Sequence, residues 1–179
     1  EEVVLILPPH LGVQLGVIRR RPDAPALKQA GRLVHLLGGA AIDDARVVSL
    51  PQHKVQQLLR FLAGQGAGID AFYYCPHHPE HGIGKYKIPC HCRKPETGMF
   101  EMAEQDFEVD KASSWMIGDK LIDIEAGRNY GVRTVLVGTG YGAGVHDEQK
   151  KKGDFPYDLY ADDLLEAYDE INRETAGNL

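Results

Sequence analysis

The alternation of hydrophobic and polar positions changes character near residue 69. Before it, the apolar runs are short and scattered. Val3 to Leu7 is an aliphatic run stopped by Pro8-Pro9, which predicts a buried strand. Arg19-Arg20-Arg21 reads as a solvated turn, and Ala24 to Ala30 as a short helix closed by Gly31. Leu33 to Leu37 and Val47-Val48 have strand character. Val55, Leu58, Leu59 and Leu62 recur at i, i+3, i+4 and i+7, the spacing that lays one apolar stripe along a helix.

From Ile69 onward the pattern is regular. Ile69 to Tyr74 predicts an aromatic-rich strand, and Thr97 to Phe107 a helix with Met99, Met102, Ala103 and Phe107 on one face, both methionines facing the core. Ser114 to Ile117 predicts a strand running into Gly118-Asp119, Leu121 to Tyr130 a helix ended by Gly131, and Thr134 to Val137 the next strand. That is a βαβ unit, so the expected class is α/β with a parallel sheet and helices on its faces. Gly138 to Gly144, with four glycines in seven residues, reads as a loop, and Asp163 to Ile171 as a closing helix. Lys150-Lys151-Lys152 reads as a solvated face. No internal repeat, low-complexity tract or linker divides the chain, and one domain over residues 1–179 is expected.

Composition narrows the partners. The chain has 179 residues, 43% hydrophobic and 26% charged, enough for one well-buried core. Its 20 Lys plus Arg against 26 Asp plus Glu leave a net charge of −6, which removes the bulk attraction of a basic surface for nucleic acid. The most apolar stretch, Val3 to Ile18, is broken by Pro8-Pro9, His10 and Gln14 and is shorter than the ~20 apolar residues that span a bilayer. A cytoplasmic monomer with no nucleic-acid or membrane partner is the expectation. The acidic Glu1-Glu2 start, where a secretory leader would be basic, agrees with it.

The three cysteines, Cys75, Cys90 and Cys92, fall within eighteen residues. An odd number so closely spaced is no disulfide framework and points to a metal. Cys75-Pro76-His77 and Cys90-His91-Cys92 form two ligand-x-ligand arms separated by twelve residues. In an extended backbone such an arm puts both side chains on one side, so two arms close around a tetrahedral Zn²⁺. His78, His81 and His91 are alternative donors, but only His77 repeats the one-residue offset of Cys90 from Cys92. A complete Cys3His shell leaves no open position, so the zinc would be structural and would hold the loop from Pro76 to His91 in place.

Arg93-Lys94-Pro95 follows the second arm at once and offers a planar fork and a compact charge suited to phosphate. Asp119 falls at the carboxyl end of a predicted parallel strand, where open α/β sheets bind their ligands, and Asp123 lies one helical turn beyond. Mg²⁺ commonly takes one or two protein carboxylates and shares the rest of its shell with water and substrate phosphate, so Asp119, with Asp123 as a second candidate, would hold it. Lys120 could neutralise a second substrate anion. Together these parts describe a phosphoryl-transfer site.

Tyr73-Tyr74-Cys75-Pro76-His77-His78-Pro79, Cys90-His91-Cys92-Arg93-Lys94-Pro95, Gly98-Met99 and Gly118-Asp119-Lys120-Leu121-x-Asp123 resemble the motifs of the haloacid-dehalogenase-like (HAD) phosphatases. The particular likeness, over Ile69 to about Gly140, is to the zinc-containing D-glycero-D-manno-heptose 1,7-bisphosphate 7-phosphatases. The resemblance implies a doubly wound parallel sheet with a zinc-stapled loop. It implies Zn²⁺ on Cys75, His77, Cys90 and Cys92, catalytic Mg²⁺ on Asp119, Lys94 stabilising the transferring phosphoryl group, and Arg93 and Lys120 contacting a small sugar bisphosphate. Histidinol phosphatases share the zinc arms but match less well, since their zinc loop is shorter and Gly118-Asp119-Lys120 is less typical of them. The resemblance also implies an Asp-x-Asp-Gly-Thr nucleophile motif after the first strand. This chain has none; its only Asp residues before the matching region are Asp23, Asp43, Asp44 and Asp70. A non-catalytic sugar-phosphate-binding protein is therefore the competing class, and a changed reading frame upstream of Ile69 would produce so abrupt a loss of likeness.

Overall fold

The computed structural model describes residues 2–5, 13–19 and 71–177. Among them lie β1 (Glu2–Leu5), β2 (Val13–Arg19), β3 (Ala71–Cys75), α1 (Gly98–Asp106), β4 (Trp115–Gly118), α2 (Leu121–Tyr130), β5 (Arg133–Val137), α3 (Gly142–Lys152), β6 (Leu159–Ala161) and α4 (Leu164–Gly177). The strands form one sheet in the order β3-β2-β1-β4-β5-β6. β1, β4, β5 and β6 run parallel, with Leu5 opposite Ile117 and Ile117 opposite Val135. β2 and β3 extend the sheet in antiparallel fashion.

This is the expected α/β architecture, and its core follows from the sequence. All four residues of β4 are buried, as a central parallel strand requires when both faces of its sheet are covered. Met116 joins Tyr73 of β3, Met99, Phe100 and Ala103 of α1, and Ala126 and Tyr130 of α2 in one apolar cluster. Within it the Phe100 and Tyr130 rings stack with centroids 4.6 Å apart, an arrangement worth about 0.5–1.5 kcal/mol beyond area burial.

Three expectations change. Met99 is fully buried but Met102 is 42% exposed, because α1 turns Phe100, not Met102, toward Tyr130. The loop expected to reach Gly144 ends at Tyr141, and α3 begins at Gly142. β2 and β6 are strands that the hydrophobic pattern does not predict. The helices and strands expected between Ala24 and Leu62 lie outside the described residues.

Candidate metal and phosphate sites

β3 delivers the first metal arm. Cys75 is its last residue and is buried, and the chain then turns so that His77 Nδ1 comes within 3.8 Å of Cys75 Sγ. The second arm is folded by a turn in which Arg93 N–H donates to the Cys90 carbonyl at 3.0 Å, and Gly98 N–H to that of His91 at 3.0 Å. It brings Cys92 Sγ to 3.9 Å from His77 Nδ1 and Cys90 Sγ to 2.9 Å from Cys92 Sγ. All four donor atoms lie within 4.8 Å of one another. Zn–S bonds of about 2.3 Å place tetrahedral donors about 3.8 Å apart, so these separations bracket a four-coordinate zinc shell.

The other histidines are engaged elsewhere. His78 Nδ1 accepts the Glu80 and His81 N–H groups at 3.2 and 3.0 Å, which closes a turn. His91 Nε2 sits 2.9 Å from the Glu101 carboxylate, and His81 is exposed beside Glu80. Burial pushes the Cys75 and Cys92 thiols up, whereas the bond from Cys92 pulls Cys90 down. A divalent cation reverses that cost, because it binds the thiolate form. Arg93 ties the two arms together, donating from Nη1 to the His77 carbonyl at 2.9 Å.

The second cluster forms where β4 ends. Asp119 follows its last residue and is only 1% exposed. Its Oδ2 accepts the Tyr141 N–H at 3.1 Å, while its buried Oδ1 has no hydrogen-bond partner among the described residues. Burial raises the Asp119 carboxyl above its ordinary range, since an ionised oxygen without a partner is costly to desolvate. The missing partner has the chemistry of a small hard cation, so Asp119 fits Mg²⁺.

Lys94, 7% exposed, places Nζ 2.5 Å from Asp123 Oδ1. Burial pushes its ammonium down, and the carboxylates of Asp123 and Asp119 oppose that shift. Asp123 Oδ2 accepts the Lys120 N–H at 3.1 Å, which caps α2 and sets an acidic group against its positive end. Both Asp123 oxygens are thus spent on protein partners, and Asp119 alone of the two offers an open one. Asp123, the second Mg²⁺ candidate, faces Lys94 and the Lys120 N–H in this geometry.

Two glycines make the cluster fit. A Cβ on Gly118 would lie 2.7 Å from Asp123 Oδ2, and one on Gly140 would lie 2.1 Å from Asp119 Oδ2. Gly140 also has φ of +65°. Tyr141 and Gly140 are the site residues that sequence reasoning missed. Their signal is the glycine run after the second parallel strand, which by itself predicts only a loop. Lys120 stands half-buried at the rim with Nζ 4.2 Å from the Tyr141 ring centroid. Asp43, Asp44 and residues 6–12 lie outside the described residues.

Residues 91–167 match the HAD-hydrolase-like family profile. A D-glycero-D-manno-heptose-1,7-bisphosphate 7-phosphatase of Chlorobaculum tepidum is 39% identical over 161 residues, covering 84% of this chain and 78% of the relative. The D-glycero-beta-D-manno-heptose-1,7-bisphosphate 7-phosphatase of Haemophilus ducreyi is 49% identical over 86 residues, and the D-glycero-alpha-D-manno-heptose-1,7-bisphosphate 7-phosphatase of Burkholderia mallei 51% identical over 75. The chain spans 47% and 40% of those two relatives. A crystal structure of the D,D-heptose 1,7-bisphosphate phosphatase from B. bronchiseptica with magnesium and phosphate matches with a TM-score of 0.56 and 28% identity. That match covers 70% of this chain and 65% of that one.

Proposed function

Because the chain belongs to the HAD-like hydrolases, with heptose bisphosphate phosphatases as its relatives, we propose that it is a Mg²⁺-dependent phosphatase acting on a small sugar bisphosphate. The preferred substrate in this reading is D-glycero-D-manno-heptose 1,7-bisphosphate, cleaved at the 7-phosphate. The observation that carries it is the unpartnered, buried Asp119 Oδ1 beside the Lys94–Asp123 pair at the carboxyl end of β4.

In this reading residues 1–179 form one HAD-like domain. Zn²⁺ on Cys75, His77, Cys90 and Cys92 is structural, since four protein donors leave no position for substrate. Mg²⁺ on Asp119, when bound, supplies positive charge to the transferring phosphoryl group. Asp123 holds the Lys94 ammonium in one place in a dry site, where a positioned charge acts strongly on developing negative charge. Arg93, fixed by the His77 carbonyl, and Lys120, at the rim, offer cations to the substrate's oxygens. Three cysteines gathered as a metal set suit a reducing compartment, which supports a cytoplasmic location. No helix among the described residues is long and apolar enough to cross a membrane.

A second reading has its own observation. β1 lies parallel to β4 with Leu5 opposite Ile117, yet Ile6-Leu7-Pro8-Pro9-His10-Leu11-Gly12 carries no carboxylate. A protein that binds sugar phosphate without turning it over would have that sequence. The test is phosphate release from heptose 1,7-bisphosphate and histidinol phosphate, with and without Mg²⁺, using Asp119→Ala as control. Mg²⁺-dependent release abolished in the variant supports the phosphatase. Tight binding with no release, in zinc-loaded protein, supports the second reading.

A further inference from the structure

The loop between β5 and α3 makes two contacts through one residue. The Tyr141 N–H donates to Asp119 Oδ2 at 3.1 Å, and the Tyr141 ring lies beneath the Lys120 ammonium at 4.2 Å. The backbone around it has little latitude. A Cβ on Gly140 would collide with Asp119, and one on Gly142 would fall 1.7 Å from the Val137 carbonyl oxygen. The ring is therefore presented from a fixed point, and it is 58% exposed, on the solvent side of a carboxylate that is itself buried.

We propose that Tyr141 is a positioning residue that holds the Lys120 ammonium at the mouth of the site, where it receives the phosphate of a bisphosphate that is not being transferred. The inference rests on the sugar-bisphosphate reading above and adds to it how the second anion is selected. Lysine is a flexible point charge, and four rotatable bonds would otherwise spread Lys120 over many positions. At one end the residue is fixed because its N–H is bound by Asp123 Oδ2, and at the other the ring face attracts its ammonium. Lys94 is buried against Asp123 and serves the inner phosphate; Lys120 is the half-exposed cation of the pair. One aromatic side chain would thus divide the cations by depth, and a monophosphate would use only the inner one.

Equilibrium titration of the zinc-loaded protein separates this idea from the reading it rests on, because it needs no turnover. The probes are heptose 1,7-bisphosphate and heptose 7-phosphate, each against wild type, Tyr141→Phe, Tyr141→Leu, Lys120→Gln and the Tyr141→Leu/Lys120→Gln double variant. Tyr141→Leu should weaken bisphosphate binding by about two- to five-fold, the range a semi-exposed cation–π contact supports. Tyr141→Phe, which keeps the ring face, should bind as wild type does. Monophosphate binding should be unchanged, and the loss should vanish in the Lys120→Gln background. Equal losses for both ligands, a loss that persists without Lys120, or unchanged bisphosphate binding in Tyr141→Leu would each overturn the proposal alone. Failure of wild type to bind either probe would overturn the sugar-bisphosphate reading and this proposal with it.

Discussion

Lys94 and Asp123 form a buried ion pair, and breaking it from either side should be far more damaging than removing it whole. Their side chains are 7% and 4% exposed, and Nζ and Oδ1 are 2.5 Å apart. Lys94→Met leaves the Asp123 carboxylate buried with, among the described residues, the Lys120 N–H to answer it. Asp123→Asn keeps the shape and a capping oxygen but leaves the ammonium without an opposing charge at Asp123. Each single change strands one charge in a low-dielectric site and should cost about 3–5 kcal/mol. The double variant strands neither member of the pair and only takes one nearby cation from buried Asp119. Its remaining penalty is an imperfectly bonded amide, so it should fall within about 1–2 kcal/mol of wild type. The coupling is then several kcal/mol, well above the few tenths expected of independent sites. Urea unfolding of zinc-loaded protein gives the result directly. With m of about 2–3 kcal/mol/M, each single variant should shift its midpoint by roughly 1–2 M at unchanged slope, and the double by much less. Single changes below about 1 kcal/mol that simply add in the double would refute the argument, since the pair would then be solvated.

The zinc cluster predicts one tightly bound zinc per chain by elemental analysis, and Cys90→Ser should lower both zinc content and melting temperature, because a structural metal contributes folding free energy; an unchanged melting temperature would remove the structural role. Gly140→Ala should cost about 1 kcal/mol or more from its positive φ and, by displacing Asp119, abolish any stabilisation of the fold by Mg²⁺ in thermal melts. The Ser113 hydroxyl and the Ala112 N–H hold the Asp110 carboxyl below its ordinary value. A lowered carboxyl favours the fold above the unfolded-state value and loses that contribution as pH falls through the folded one. NMR titration should therefore place Asp110 below the ordinary aspartate value of 3.8, and Ser113→Ala should raise it.

What the sequence announced and what it concealed follow from the range of the forces involved. The α2 boundaries were readable because Gly131 and the apolar spacing are local signals, and the observed helix runs from Leu121 to Tyr130 as they imply. The metal arms were readable because ligand spacing is itself geometry. Met102 was misplaced because a helical stripe has edges, and only the neighbour decides which edge is covered; here Tyr130 stacks on Phe100. The start of α3 was hidden because Gly142 looks like a loop residue. Its glycine is instead required by the close approach of the Val137 carbonyl five residues back, a contact set by how the turn after β5 folds and not by hydrophobic spacing. The unpartnered Asp119 oxygen was equally invisible, since burial of one atom is a property of packing and not of spacing.

The same distinction bears on the missing nucleophile. β1 pairs with β4 in parallel, Val4 opposite Met116 and Leu5 opposite Ile117, so the sheet supplies the strand after which an attacking aspartate would come. The residues that follow are Ile6-Leu7-Pro8-Pro9, which hold no nucleophilic side chain. An aspartyl nucleophile divides one difficult displacement into two easier ones, whereas in the proposed site Lys94 and a cation on Asp119 would only position phosphate and stabilise charge. On the proposed reading affinity and rate should come apart: phosphate binding would draw on Lys94 and a cation on Asp119, and rapid turnover on a nucleophile that residues 6–12 do not supply. If turnover is nevertheless rapid and Mg²⁺-dependent, a carboxylate from elsewhere must reach the site. Asp43 and Asp44 are then the residues to replace, for losing that carboxylate should abolish the rate while leaving phosphate affinity intact.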